Sequence, residues 1–140
     1  MLTGVTRFRI RQAAELLGVS DDTMRRWADS GRLPTTTDDA GRRAVEGADL
    51  ALFAEKLAAE TPGPDQDGLG LSSARNRFTG LVTRVVRDTV MAQVEIQAGP
   101  FRVVSLMSRE AADELGLQPG SLAVASIKST NVVVEVPDPS

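Results

Sequence analysis

Two periodicities divide the chain. In residues 1–60 apolar positions recur every three or four residues, the spacing of a helix face. In residues 72–136 they alternate with polar ones, the spacing of a half-buried strand. Between the two lies TPGPDQDGLGL at 61–71, with two prolines, three glycines and two aspartates. Such a segment sustains neither a helix nor a central strand and reads as a linker. The expected domains are therefore 1–60 and 72–137.

Upstream, Ile10, Ala13, Ala14 and Leu17 mark a first helix that Gly18 breaks. Ser20 is a good N-cap for a second, whose positive end Asp21 and Asp22 complement. Met24, Trp27 and Ala28 form its inward face, and Gly31 fits the position just past its end. Two short helices joined by LGVS predict a helix-turn-helix. In LPTTTDDAGRRAV, residues 33–45, Thr and Val flanks around DDAG predict a two-stranded wing. Asp49 is placed to cap a third helix, with Leu50, Phe53 and Leu57 packing back on the first two.

Downstream, Val90, Ala92, Val94 and Ile96 alternate with Met91, Gln93, Glu95 and Gln97. Similar runs span Phe78–Val86, Phe101–Leu106, Leu122–Ile127 and Val132–Val136. Ser108–Leu115 reads as a short helix capped by Ser108 and ended by Gly116. Strands of this length around one helix predict a small β-barrel. The expected fold class is α+β, a winged helix-turn-helix followed by that barrel.

Composition narrows the chemistry. With four Phe, one Trp and no Tyr, both cores must be largely aliphatic. No Cys and no His exclude disulfides, thiol catalysis, Cys/His zinc sites and histidine acid–base work. A nucleophile–base pair, a phosphate-cradling loop and paired carboxylates are all missing, so no enzyme and no metal site is expected. Neither a membrane-spanning run nor the apolar region of a secretory signal occurs, which makes the cytoplasm the expected location. The net charge of −3 counts against DNA, because phosphate contacts supply most non-specific affinity. That average hides five arginines crowded into Arg25–Arg43.

If the second helix enters a major groove, Thr23, Arg25 and Arg26 face the DNA. Either arginine can fork onto guanine O6/N7 or clamp a phosphate. Arg42 and Arg43, at the wing tip, reach a backbone or a minor groove. The duller alternative is a solvated helix face, with Asp21 and Asp22 repelling phosphate. Residues 8–59 resemble the winged-helix domains of MerR-type regulators and phage excisionases, through RIRQAAELLGVSDDTMRRWADSGRLP and the later GRR. That resemblance implies that Thr23, Arg25, Arg26, Arg42 and Arg43 touch double-stranded DNA. It also implies a long dimerisation helix, which this chain lacks.

The second candidate chemistry is a tetrahedral dianion. Arg75 offers a planar fork and Lys128 a point charge, so the formal charges can cancel. Ser73, Ser108, Ser129 and Thr130 can donate hydroxyl hydrogens. Spacing alone leaves open a solvated arginine at one strand start and a solvated lysine at another strand end. Residues 72–136 are similar to the Mop, or TOBE, domain of molbindins and molybdate-responsive regulators. SARN matches its opening motif, RDTVMAQVEI its second strand, MSREAADELGLQPG its helix and turn, and IKST its lysine-bearing strand end. The resemblance implies an OB-like barrel that binds molybdate or tungstate between subunits of a homo-oligomer. It assigns Ser73, Arg75, Lys128 and Ser129 to ligand positions, with Ser108 and the backbone at Thr89–Val90 as further contacts. Ala111 stands where relatives carry a second hydroxyl, and Asn76 is given to fixing the local turn.

The leading expectation is an oxyanion-responsive transcription factor. A cytoplasmic molybdate storage or buffer protein, whose helix-turn-helix serves assembly, is the alternative. A third reading is a DNA-binding architectural protein with an inert barrel.

Overall fold

The computed structural model describes residues 6–60 and 72–137, so the expected 61–71 linker lies outside the described residues. The chain separates into two compact units, Met1–Gly63 and Pro64–Ser140.

The N-terminal unit runs β1 (Arg7–Arg9), α1 (Ile10–Leu17), α2 (Asp21–Asp29), β2 (Thr36–Thr37), β3 (Arg43–Glu46) and α3 (Gly47–Glu60). Gly18, at φ 71°, ends α1 in the left-handed conformation that lets its amide and that of Val19 return to the last carbonyls of the helix. Ser20 then caps α2, its Oγ accepting the Thr23 N–H at 3.1 Å. Met24, Leu33 and Val45 are fully buried among Ile10, Ala13, Ala14, Ala28, Leu50 and Phe53. Trp27 tilts against Phe53 with ring centroids 5.1 Å apart, and the Arg32 guanidinium lies over both rings.

Two details differ from expectation. The wing is three-stranded, in the order β1-β3-β2, because Arg7–Arg9 pairs antiparallel with Ala44–Glu46. Three residues are too few for alternation to announce a strand. Helix α3 starts at Gly47, so Asp49 sits within its first turn rather than ahead of it.

The C-terminal unit contains β4 (Asn76–Arg87), β5 (Met91–Ala98), β6 (Phe101–Ser108), α4 (Arg109–Glu114), β7 (Leu122–Ile127) and a 3-10 turn at Ser129–Asn131. The antiparallel sheet has the order β6-β5-β4-β7. Strand β4 serves two partners in succession, with Asn76–Leu81 on β7 and Leu81–Arg87 on β5. A register shift between Val82 and Arg84 bends it at the changeover. Gly80 permits the close approach there, since a Cβ would lie 2.8 Å from the Gln97 carbonyl carbon and 2.9 Å from Ala98 Cα. All four strands feed one cluster around Val82, Val94 and Ile96, so the sheet curls. Glu95, buried on the other face of β5, is held by Arg102 and flanked by Arg84 at 3.9 Å. Helix α4 begins on Ser108, whose Oγ accepts the Ala111 N–H.

The α+β class and the two-part architecture agree with the sequence. The sheet curls into the half-barrel of an OB-like fold, but the expected strand at Val132–Val136 does not form. Val133, Val134 and Val136 are more than 80% exposed, and Phe101, Leu106 and Leu122 on the edge strands are also bare. A strand-patterned segment needs a ladder partner, and nothing within the described residues supplies one.

Candidate functional site

The β4–β7 ladder ends at the pair Asn76↔Ile127, which the Asn76 amide ties by donating to the Ile127 carbonyl at 3.2 Å. Continuing that register by one step places Arg75 opposite Lys128. Each begins an irregular segment. Arg75 bends back toward the carbonyls of Ser72 and Ser73, at 3.4 and 3.3 Å. Lys128 precedes the 3-10 turn and accepts the Asn131 N–H at 2.9 Å, which leaves Ser129 and Thr130 exposed beside it.

Charge is distributed unevenly over this unit. Arg84 and Arg102 share Glu95, and Arg87 and Arg109 share Asp113, all within 4.0 Å. Among the described residues Arg75, Arg77 and Lys128 are its cations without such a partner. Arg77 opposes Ser126 and lies two residues along from Arg75, which puts it on the face to which an extension of the ladder would assign Arg75 and Lys128. Reading the sequence missed Arg77. The i, i+2 spacing from Arg75 was the available signal, but it needed the register to give it meaning.

Val90 and Ser108 lie elsewhere. They adjoin at the start of β5, where Met91 pairs with Ser108 and the Arg109 N–H donates to the Val90 carbonyl at 2.8 Å. They line a 530 Å³ cleft together with Arg109 and three carboxylates, Glu110, Asp113 and Glu114, an unfavourable surround for a dianion. The Val90 N–H is already donated to Asp88 Oδ1 at 2.7 Å. Hydrogen bonds from the Met91 and Val90 amides hold the Asp88 carboxyl below its ordinary range. Strand β4, twelve residues long, separates the two clusters. At strand rise that is a contour of about 40 Å. Within one protomer Ser73, Arg75, Lys128 and Ser129 thus lie at one end of β4, and Val90 and Ser108 at the other.

In the N-terminal unit α2 presents Thr23, Arg25 and Arg26 along its outer side. Thr23 Oγ1 accepts from Ser20 Oγ at 3.0 Å and from Arg26 Nη2 at 3.2 Å, which fixes the Arg26 fork beside Thr23. The wing turn is built on Asp38, whose Oδ1 accepts the amides of Ala40 and Arg42 at 2.9 and 2.8 Å. Those bonds hold its carboxyl low, the Arg42 amide contributing most. Gly41, at φ 78°, completes the turn. Arg43 binds Asp29 at 2.6 Å and so ties the wing to the end of α2. Arg25, Arg42 and Arg43 converge on a 300 Å³ cleft that Arg9, Ile10 and Arg11 also line. Arg9 and Arg11 escaped the sequence reading because β1, which aims RFRIR at the wing, was not foreseen.

No helix of the described residues is long and apolar enough to cross a membrane. Those residues also hold no group of three or more side chains suited to a metal ion.

Comparison with known proteins agrees with this division. Residues 72–134 match the TOBE domain and residues 8–58 a helix-turn-helix domain, and both are binding and regulatory families rather than enzymes. Molybdenum-pterin-binding protein 3 of Clostridium pasteurianum is 38% identical over 63 residues, 44% of this chain and 93% of that protein. The molybdenum transport protein ModE of Herbaspirillum seropedicae is 41% identical over 64 residues, 45% of this chain. The transcriptional repressor DcmR of Methylorubrum extorquens is 34% identical over 76 residues, 51% of this chain. The match spans only 24% of ModE and 29% of DcmR. Through residues 72–134 the chain belongs to the family of TOBE-domain proteins, and it joins to that domain an N-terminal helix-turn-helix domain.

Proposed function

We propose that the protein is a DNA-binding transcriptional regulator that responds to molybdate or tungstate. The carrying observation is the pairing of un-neutralised cations at the β4–β7 ladder end, in the same chain as a winged helix-turn-helix. A dianion placed there receives the Arg75 fork, the Lys128 charge and the hydroxyls of Ser73 and Ser129. Each charge-assisted bond contributes roughly 1.5–3 kcal/mol, so a handful reach micromolar affinity after the cost of association. The similarity to a molybdenum-pterin-binding protein and to ModE supports this choice of anion.

Ser108 and the Val90 backbone join the same site only if a second copy supplies them. The bare edges of the curled sheet and the exposed Val132–Val136 segment support assembly through the C-terminal domain. The assembly presents winged helices in pairs, with Thr23 and Arg26 facing base edges and Arg42 and Arg43 on the flanking backbone. Anion binding alters DNA affinity only by the difference in its own affinity for the two arrangements. A DNA-binding role puts the protein in the cytoplasm.

A storage or buffer role is the second reading, favoured by Asp21 and Asp22 at the start of α2 and by the net charge of −3. Fluorescence anisotropy on the DNA upstream of its own gene, with and without molybdate, separates the two. Regulation predicts salt-sensitive, sequence-dependent binding whose affinity changes with molybdate. Storage predicts anion binding with no DNA binding.

A further inference from the structure

We infer that the cleft between α1, α2 and the wing seats one phosphodiester of the DNA backbone, and that Arg9 and Arg11 are its clamps. The inference rests on the DNA-binding reading of this domain and names contacts beyond the recognition helix and wing. The cleft holds 300 Å³, and five of its six lining residues are arginines, the sixth being Ile10. The first sixty residues carry nine Lys/Arg against ten Asp/Glu. More than half of that positive charge therefore faces one hollow, while no carboxylate is among its lining residues. Carboxylates stand within 4.0 Å of four of these arginines, on their outer side, so the face carries a modest excess of positive charge while the hollow itself is lined by guanidiniums.

The donors in the cleft remain available. Arg11, Arg25 and Arg42 form ion pairs with Glu15, Asp22 and Asp38 at 3.8–3.9 Å, which offsets part of their charge but is too long to engage their N–H donors. Arg9 has no carboxylate within 4.0 Å among the described residues. Only Arg43 is committed, to Asp29.

The two helix N-termini of the motif differ in the same direction. Helix α2 is capped by Ser20 and carries Asp21 and Asp22 in its first turn, so its positive end is already compensated and repels phosphate. Helix α1 carries no acid in its first turn; Arg9 is its N-cap, with its amide donated to Gln12 Oε1, and Arg11 lies in that first turn. The guanidiniums gathered beside that uncompensated positive end point to an anion there.

This arrangement also divides the two arginines of α2. Arg25 lines the cleft and belongs with the backbone contacts. Arg26, braced on Thr23 Oγ1, is left to meet a base edge.

The test uses the full chain, with and without molybdate. Anisotropy is measured across a salt series on a duplex from upstream of the gene and on a scrambled duplex of equal composition. Arg9→Ala/Arg11→Ala should weaken both duplexes by the same factor and lower the logarithmic salt slope by about 1–2. Arg9→Lys/Arg11→Lys should retain the slope, since a phosphate needs only the charge. Arg26→Ala should instead narrow the gap between the two duplexes. Unchanged melting of the domain shows that the alanine variant is folded. If that variant keeps the wild-type slope and affinities while Arg26→Ala still narrows the gap, the cleft is wrong and the DNA reading stands. If the wild type binds neither duplex at low salt, the DNA reading and the cleft both fail.

Discussion

Arg75 and Lys128 occupy the two positions that follow the Asn76–Ile127 pair outward on the β4–β7 ladder. Strand pairing brings two like charges to one sheet end, and no carboxylate of the described residues lies within 4.0 Å of either. Such a pair repels itself until an anion joins it. That gives a sign to look for. Without anion, Lys128→Ala should melt at the same temperature as the wild type or slightly higher. With molybdate at a hundred times its dissociation constant, the wild type should gain about 2.7 kcal/mol and the variant nothing. Differential scanning calorimetry with and without molybdate reads both.

Assembly should depend on the tail. Val133 and Val134 are 82% and 83% exposed, an arrangement a soluble chain tolerates when a partner covers it. Replacing both with serine should lower the oligomeric mass measured by light scattering while leaving the melting of the N-terminal unit unchanged. An unchanged mass would remove the tail from the interface.

Gly80→Ala should destabilise the C-terminal unit by about 1–3 kcal/mol, the usual cost of forcing atoms into a packed site. The added methyl would meet the backbone of Gln97 and Ala98, which cannot move aside as a side chain could. Denaturant unfolding followed by C-terminal amide signals checks it. Wild-type stability would contradict the close approach of β4 and β5.

Asp88 fixes the turn into β5 by accepting the amides of Val90 and Met91. Its folded-state pKa is lowered, so the contribution is complete above the unfolded aspartate value of about 3.9 and is lost as pH falls through the folded value. Carbon-detected NMR titration should place the Asp88 midpoint below that of a free aspartate. Amide exchange at Val90 and Met91 should rise only once that midpoint is passed. Asp88→Ala should show fast exchange at neutral pH as well.

Local signals were the legible part. Ser20, Gly18 and Gly31 mark the ends of α1 and α2 because capping is chemistry within a few residues. The strands from Phe78 to Ile127 were readable because apolar and polar positions largely alternate where one face meets a core, even though the register shift between Val82 and Arg84 interrupts the pattern. Val132–Val136 has the same apolar character without a partner in the chain, and composition does not distinguish the two cases. Arg9, Arg11 and Arg77 stayed hidden for a related reason. Each acquires a role only through its neighbours across a ladder or cleft, and those depend on register. The placement of Arg75 and Val90 at opposite ends of one strand was legible in the Phe78–Val86 run; the change of partners at Leu81, which gives each end a different neighbour, was not.

The most direct measurement is isothermal titration calorimetry of molybdate into the wild-type protein and into Arg75→Ala. Saturable binding is expected in the wild type and its loss in the variant, with both proteins folded and of equal oligomeric mass. Equal heats and affinities in the two, or no binding in either, would contradict it.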